Sequence, residues 1–167
     1  MKILIIEDEI LAQAKLEGML RSLDSSITIL AKLSSVKDTI QWLSTNPAPD
    51  LAFVDIQLSD NHSFEVFRKF PVEFPVVFTT AFDKYLLESF EFNSIDYLLK
   101  PITEEKLKRS LAKMKKLEQH LRSSPFKLND RYQLVFASLY LWGLKQESPV
   151  GIDQALIGRT TEGTLGR

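Results

Sequence analysis

Asp55 ends the apolar run Leu51-Ala52-Phe53-Val54. An ionised carboxylate at the end of a buried strand loses hydration, so it must be paired, hold a cation, or stand at a rim where chemistry occurs. Similar runs elsewhere also stop at polar residues: Ile3–Ile6 at Glu7 and Asp8, Val76–Phe78 at Thr79 and Thr80, and Ile95–Leu99 at Lys100. Three carboxylates brought together repel, and they either raise one another's pKa or bind a cation. With neither histidine nor cysteine in the set, oxygen ligands suit a hard ion. Mg²⁺ is favoured because it keeps waters and takes one or two carboxylates plus a phosphate oxygen. Lys100 and the Thr80 hydroxyl then need an anion, and a phosphoryl group supplies it. Asp55 is the natural nucleophile, since a carboxylate can accept a phosphoryl group as an aspartyl phosphate.

These residues converge only if the fold places the ends of their strands side by side. Ile3–Ile6 is continuous and rich in β-branched side chains, the mark of a strand buried on both faces of a parallel sheet. Ala12, Leu16, Met19, Leu20 and Leu23 follow at helical spacing. The alternation repeats through Ile27–Leu33, a helix with Val36, Ile40 and Leu43, and Leu51–Val54, then a helix with Phe64, Phe67 and Phe70. It goes on through Val76–Thr79, a short helix with Leu86, Leu87 and Phe90, Ile95–Leu99, and a last helix capped by Thr103. Five strands alternating with five helices predict a doubly wound α/β parallel sheet, whose ligand site lies beyond the carboxyl ends of the strands where strand order reverses.

The 167 residues suffice for one ordinary domain and a remainder. A net charge of -1 gives no general drive toward polyanions, and the absence of cysteine removes disulfides and thiolate chemistry. The four apolar residues after Lys2 are too few for a signal-peptide core, and Leu134–Trp142 falls short of the roughly 20 residues of a membrane span. The expectation is a cytoplasmic protein with no membrane partner.

Ile5-Ile6-Glu7-Asp8-Glu9, Val54-Asp55-Ile56-Gln57-Leu58, Thr79-Thr80-Ala81 and Asp96-Tyr97-Leu98-Leu99-Lys100-Pro101 resemble the motifs of the receiver domain of two-component response regulators, over about residues 1–122. The resemblance implies a flavodoxin-like (βα)5 fold. It makes Asp55 the phosphoacceptor, with Mg²⁺ held by Asp8, Asp55, Glu7 through water and the Gln57 backbone carbonyl. It makes Thr80 the switch hydroxyl, Ala81 a backbone contact to phosphate, Tyr97 the aromatic that moves with Thr80, and Lys100 the phosphate clamp, before a cis bond to Pro101. The role of Tyr97 rests on the resemblance alone. The wording of Phe78–Ile102 is similar to receivers of LytTR-type regulators, whose output is a DNA-binding domain. Asn61 stands where glycine is expected, and asparagine tolerates a positive φ better than most residues.

The implied function is a regulator accepting a phosphoryl group from a sensor histidine kinase, with transcription controlled through a LytTR-type output. The alternative is a stand-alone or truncated receiver acting by protein contacts without DNA. A phosphatase would want a second acid two residues after Asp55, where Gln57 stands, and a nucleotide-binding domain would want a glycine pattern that is missing. A homodimer through the last helix, the fifth strand and the preceding helix is a further expectation, and the spacing of 107, 114, 117 and 121 allows a heptad-like seam. The basic run Lys106, Lys108, Arg109, Lys113, Lys115, Lys116 reads as a solvated face before a DNA contact, and His62 as a solvated loop residue before a tuner of dephosphorylation. Ser123-Ser124-Pro125 reads as a linker. Residues 123–167 are expected to hold an incomplete or disordered C-terminal segment, a truncated or altered output domain.

Overall fold

The computed structural model describes residues 1–92 and 94–123. Five strands, β1 (Lys2–Ile6), β2 (Thr28–Leu33), β3 (Leu51–Asp55), β4 (Val76–Thr80) and β5 (Ser94–Leu99), form one parallel sheet in the order β2-β1-β3-β4-β5. The helices between and after them are α1 (Ile10–Leu23), α2 (Val36–Thr45), α3 (Phe64–Lys69), α4 (Leu86–Ser89) and α5 (Glu104–Ser123), with a 3₁₀ turn at Asp83–Tyr85 leading into α4. This is the expected doubly wound (βα)5 fold. Strand order reverses at β1 and β3, which carry Glu7, Asp8 and Asp55 at their carboxyl ends.

Alternation within the continuous apolar runs builds a core on each face. Ile3, Ile5, Leu51 and Phe53 pack with Leu16 and Leu20 of α1 and with Leu107, Leu111, Met114 and Leu117 of α5. Leu4, Ile6, Ala52 and Val54 face the other way, against Val36 and Leu43 of α2 and Phe64 and Val66 of α3. A strand covered on both sides has no polar face to show, hence its unbroken apolar sequence.

The Thr103 hydroxyl accepts from the Lys106 N–H at 3.3 Å, so the expected cap of α5 is present. Two expectations need correction. Phe70 lies one residue past α3, its N–H on the Val66 carbonyl, because α3 runs only six residues. The heptad-like seam on α5 is unavailable, since Leu107, Met114 and Leu117 are 0%, 4% and 1% exposed within the chain's own core. Ser123 closes α5, and the rest of the expected linker and altered C-terminal segment lies outside the described residues.

Candidate phosphoryl-transfer site

β1 and β3 pair in register from Ile3 opposite Leu51 to Ile6 opposite Val54, so Glu7, the residue after β1, comes beside Asp55, which ends β3 paired with Thr79 of β4. Glu7, Asp8 and Asp55 bring carboxylate oxygens within 4.8 Å of one another, with Glu7 and Asp55 buried and Asp8 exposed. Lys100 arrives from the end of β5, and its backbone N–H donates to the Thr80 carbonyl at 2.7 Å. Its ammonium lies between the two buried acids, 2.5 Å from Asp55 Oδ2 and 2.8 Å from Glu7 Oε2. The Gln57 N–H donates to the other Asp55 oxygen at 3.1 Å.

Burial pushes the Glu7 carboxyl above its ordinary range; the Lys100 hydrogen bond opposes the shift and the Asp55 charge adds to it. Burial acts on Lys100 in the opposite sense, yet the hydrogen bonds to Asp55 and Glu7 outweigh it and hold the ammonium above its usual pKa. One cation is therefore shared by two desolvated anions, with the third acid at the solvent edge.

Around octahedral Mg²⁺, oxygens at about 2.1 Å stand about 3 Å apart when adjacent and about 4.2 Å when opposite. An all-oxygen set within 4.8 Å, open to water at Asp8, fits such a hard cation. Lys100 contacts the Asp55 carboxylate directly, and Thr80 follows Thr79, the residue of β4 paired with Asp55.

Thr80 is fully buried at the end of β4, and its hydroxyl accepts from the Phe82 N–H at 3.3 Å. Tyr97, half-buried on β5, donates its hydroxyl to the Phe82 carbonyl. Thr80 and Tyr97 thus grip one residue from its two backbone ends. Burial, followed by the charge of Asp83, pushes the Tyr97 phenol up to about 12. Ala81 lies exposed between Thr80 and Phe82, and the Lys100-Pro101 bond is cis.

The loop after β3 closes despite its missing glycine: Leu58 N–H donates to the Asn61 carbonyl at 3.0 Å, and the Asn61 side chain accepts from the His62 N–H at 2.8 Å. His62 is exposed and bridges Gln57, with its Nε2 3.4 Å from the Tyr85 hydroxyl. Much of the basic run on α5 works inside the fold. Lys106 donates to the Leu99 and Pro101 carbonyls, Lys113 pairs with Asp96 at 2.7 Å, and Lys115 with Asp24 at 3.3 Å.

Two residues passed over in the sequence hold the rim. Asp60 accepts from the N–H groups of Val36 and Lys37 at 2.8 and 3.1 Å and so caps α2 from another loop. Its burial acts to raise the carboxyl, but these and two further backbone bonds hold it below the usual range. Gln13 is buried beside Leu16 and Leu20 on α1. Its one sequence signal is being polar on an apolar helical stripe.

Known proteins are similar to this chain in sequence and in fold. "Sensory transduction protein LytT" of Bacillus anthracis is 38% identical over 122 residues, 71% of this chain and 49% of that protein. "Transcriptional regulatory protein BtsR" of Escherichia coli K12 is 36% identical over 116 residues, 68% of this chain and 48% of that protein. The chain thus spans about half the length of the curated relatives it matches. The response regulatory domain of mrkE from Klebsiella pneumoniae superposes with a TM-score of 0.64 at 29% identity, covering 71% of this chain and 99% of that one. A two-component response regulator from Clostridium difficile gives 0.61 at 28% identity, covering 69% and 95%. The LytTR-type likeness agrees with relatives named LytT. With the response regulator receiver domain family matching residues 3–112, on a five-stranded fold that gathers those acids and Lys100, the chain belongs to that family.

Proposed function

We propose that residues 1–122 are a phosphoryl-accepting switch, with Asp55 taking the group from a phosphohistidine of a sensor histidine kinase. The observation that carries this is the Lys100 ammonium set between buried Asp55 and Glu7, with Asp8 beside them. An Asp55 oxygen forms the bond to phosphorus while the P–N bond breaks and its electron pair returns to the imidazole. Glu7, Asp8, Asp55 and the Gln57 carbonyl would hold Mg²⁺, which supplies charge neutralisation on the phosphoryl oxygens. Lys100 binds the same oxygens from the opposite side, and the Ala81 N–H and Thr80 hydroxyl complete the cradle. Hydrolysis of the aspartyl phosphate resets the domain, so turnover is confined to Asp55 itself.

When the Thr80 hydroxyl turns to the phosphoryl group it gives up the Phe82 N–H, and Tyr97, bound to the same residue, changes its packing. The segment after β4 then presents a different surface, a population shift driven by the better fit of phosphate to one state. Ile10 and Leu11, 75% and 76% exposed at the start of α1, offer apolar contact to the kinase beside the acids. Leu86, Leu87, Phe90 and Leu99 offer a second surface for a homodimer through α4, β5 and α5. Among the described residues no helix is long and apolar enough to cross a membrane, in keeping with a cytoplasmic site of action.

Relatives named as sensory transduction and transcriptional regulatory proteins support a LytTR-type DNA-binding output following the receiver. The second reading is a receiver acting by protein contacts alone. The basic residues of α5 spent on Asp96, Asp24 and backbone carbonyls favour it over DNA contact by this helix.

Intact mass after incubation with Mg²⁺ and acetyl phosphate tests the proposal. A single phosphoryl adduct is expected, absent from Asp55→Asn and from an EDTA control. No adduct on the parent overturns it.

A further inference from the structure

Gln13 is 6% exposed, and its amide nitrogen has two partners: the Glu7 carbonyl at 2.5 Å and the Ser34 hydroxyl at 3.1 Å. The Glu7 N–H donates to the Leu33 carbonyl at 2.9 Å. Glu7 is therefore gripped on both sides of its Cα by groups from outside β1. The carbonyl that Gln13 holds belongs to the planar peptide joining Glu7 to Asp8, so the grip fixes the N and Cα of Asp8 from which its side chain leaves the backbone. Among the described residues no side-chain partner holds the Asp8 carboxylate, so the position of its backbone is the restraint the structure places on it. Through Ser34 the grip continues across the rim, where the Ser59 hydroxyl donates to the Ser34 carbonyl at 3.2 Å in the loop that follows Asp55.

We infer that Gln13 is a positioning residue for the cation site, its amide fixing the Glu7–Asp8 peptide and so holding both acids ready for a divalent ion. This rests on reading the acid cluster as a cation site. Outer partners that orient ligands commonly change metal affinity by about 10–100-fold when removed. Methionine matches glutamine in length and cannot donate, so Gln13→Met keeps the packing and removes the grip.

The test is calorimetric titration of Mg²⁺ into the full 167-residue chain without phosphodonor, beside a melting curve in EDTA. Gln13→Met is expected to weaken Mg²⁺ binding by about 10-fold or more, and its phosphorylation by acetyl phosphate to recover at saturating Mg²⁺. Ser34→Ala, which leaves the bond to Glu7, is expected to lose less. If Gln13→Met does not fold, Gln13→Asn withdraws the amide by one methylene and is expected to shift affinity the same way. A folded Gln13 variant that binds Mg²⁺ as the parent does, with only its melting point lowered, overturns the inference and leaves the site reading standing. A parent that takes up no Mg²⁺ overturns both.

Discussion

At the carboxyl ends of β1, β3 and β5, Glu7 and Asp55 are 3% and 6% exposed and share the Lys100 ammonium. Beyond β4 the chain makes a three-residue 3₁₀ turn and a four-residue helix, and Phe82, Leu86, Leu87 and Phe90 are 43%, 39%, 77% and 45% exposed. The first region places charge in the interior and holds it by ion pairs and backbone bonds. The second places apolar side chains in solvent on an element too short to be stable by itself. Phosphoryl chemistry needs groups fixed before the reaction, while a signal needs a segment with two arrangements of similar free energy. Phe82 joins the regions, because Thr80 and Tyr97 hold its two backbone groups.

Lys100→Met is the hardest way to break this contrast. It leaves two desolvated carboxylates facing each other, and urea unfolding in EDTA is expected to show a loss of about 2–3 kcal/mol, less than for a fully buried pair because Lys100 is partly exposed. Mg²⁺ should restore more stability to this variant than to the parent. Asp60→Ala removes the cap that ties α2 to the loop after β3, and about 1 kcal/mol is expected from the same unfolding curves. The Tyr97 phenol, at about 12 in the fold, stays protonated where an unfolded tyrosine ionises near 10. Its contribution is complete below pH about 10 and is lost as pH rises toward about 12, so melting points of Tyr97→Phe should fall less than the parent's over that window. Leu87→Ser, on the exposed turn, should change stability by no more than about 0.5 kcal/mol while weakening association that uses this face, measured by sedimentation after phosphorylation.

The central strands β1, β3 and β4 were legible because strands buried on both faces spell continuous apolar runs that stop at polar residues, while the edge strand β5, with Asp96 inside it, was legible from its place in the strand–helix alternation. Glu7 and Asp55 could be gathered by the first signal and Lys100 by the second, without any contact being known. The segment after β4 was less legible. Leu86, Leu87 and Phe90 have helical spacing, but Ser89 is the buried member of that turn, its hydroxyl on the Leu86 carbonyl at 2.6 Å. Apolar spacing normally reports a core, and here it reports surface. Asp60 and Gln13 escaped for another reason: each works through hydrogen bonds to the backbone of another element, Asp60 to the start of α2 and Gln13 to the end of β1 at Glu7, and such bonds leave no periodic trace.

Lys106, in the first turn of α5, donates to the carbonyls of Leu99 and Pro101, the residues on either side of Lys100. Lys100 and the root of α5 are thereby tied together through the backbone on either side of Lys100. A helix of 20 residues is about 30 Å long. If Lys100 follows a phosphoryl group and its loop tilts by about 5°, the far end of α5 swings by about 2.6 Å over that lever arm of about 30 Å. Such a tilt would have to be met by the core residues Leu111, Met114 and Leu117 that hold α5 against the sheet, which makes this helix the place where a change at the site would be felt inside the core.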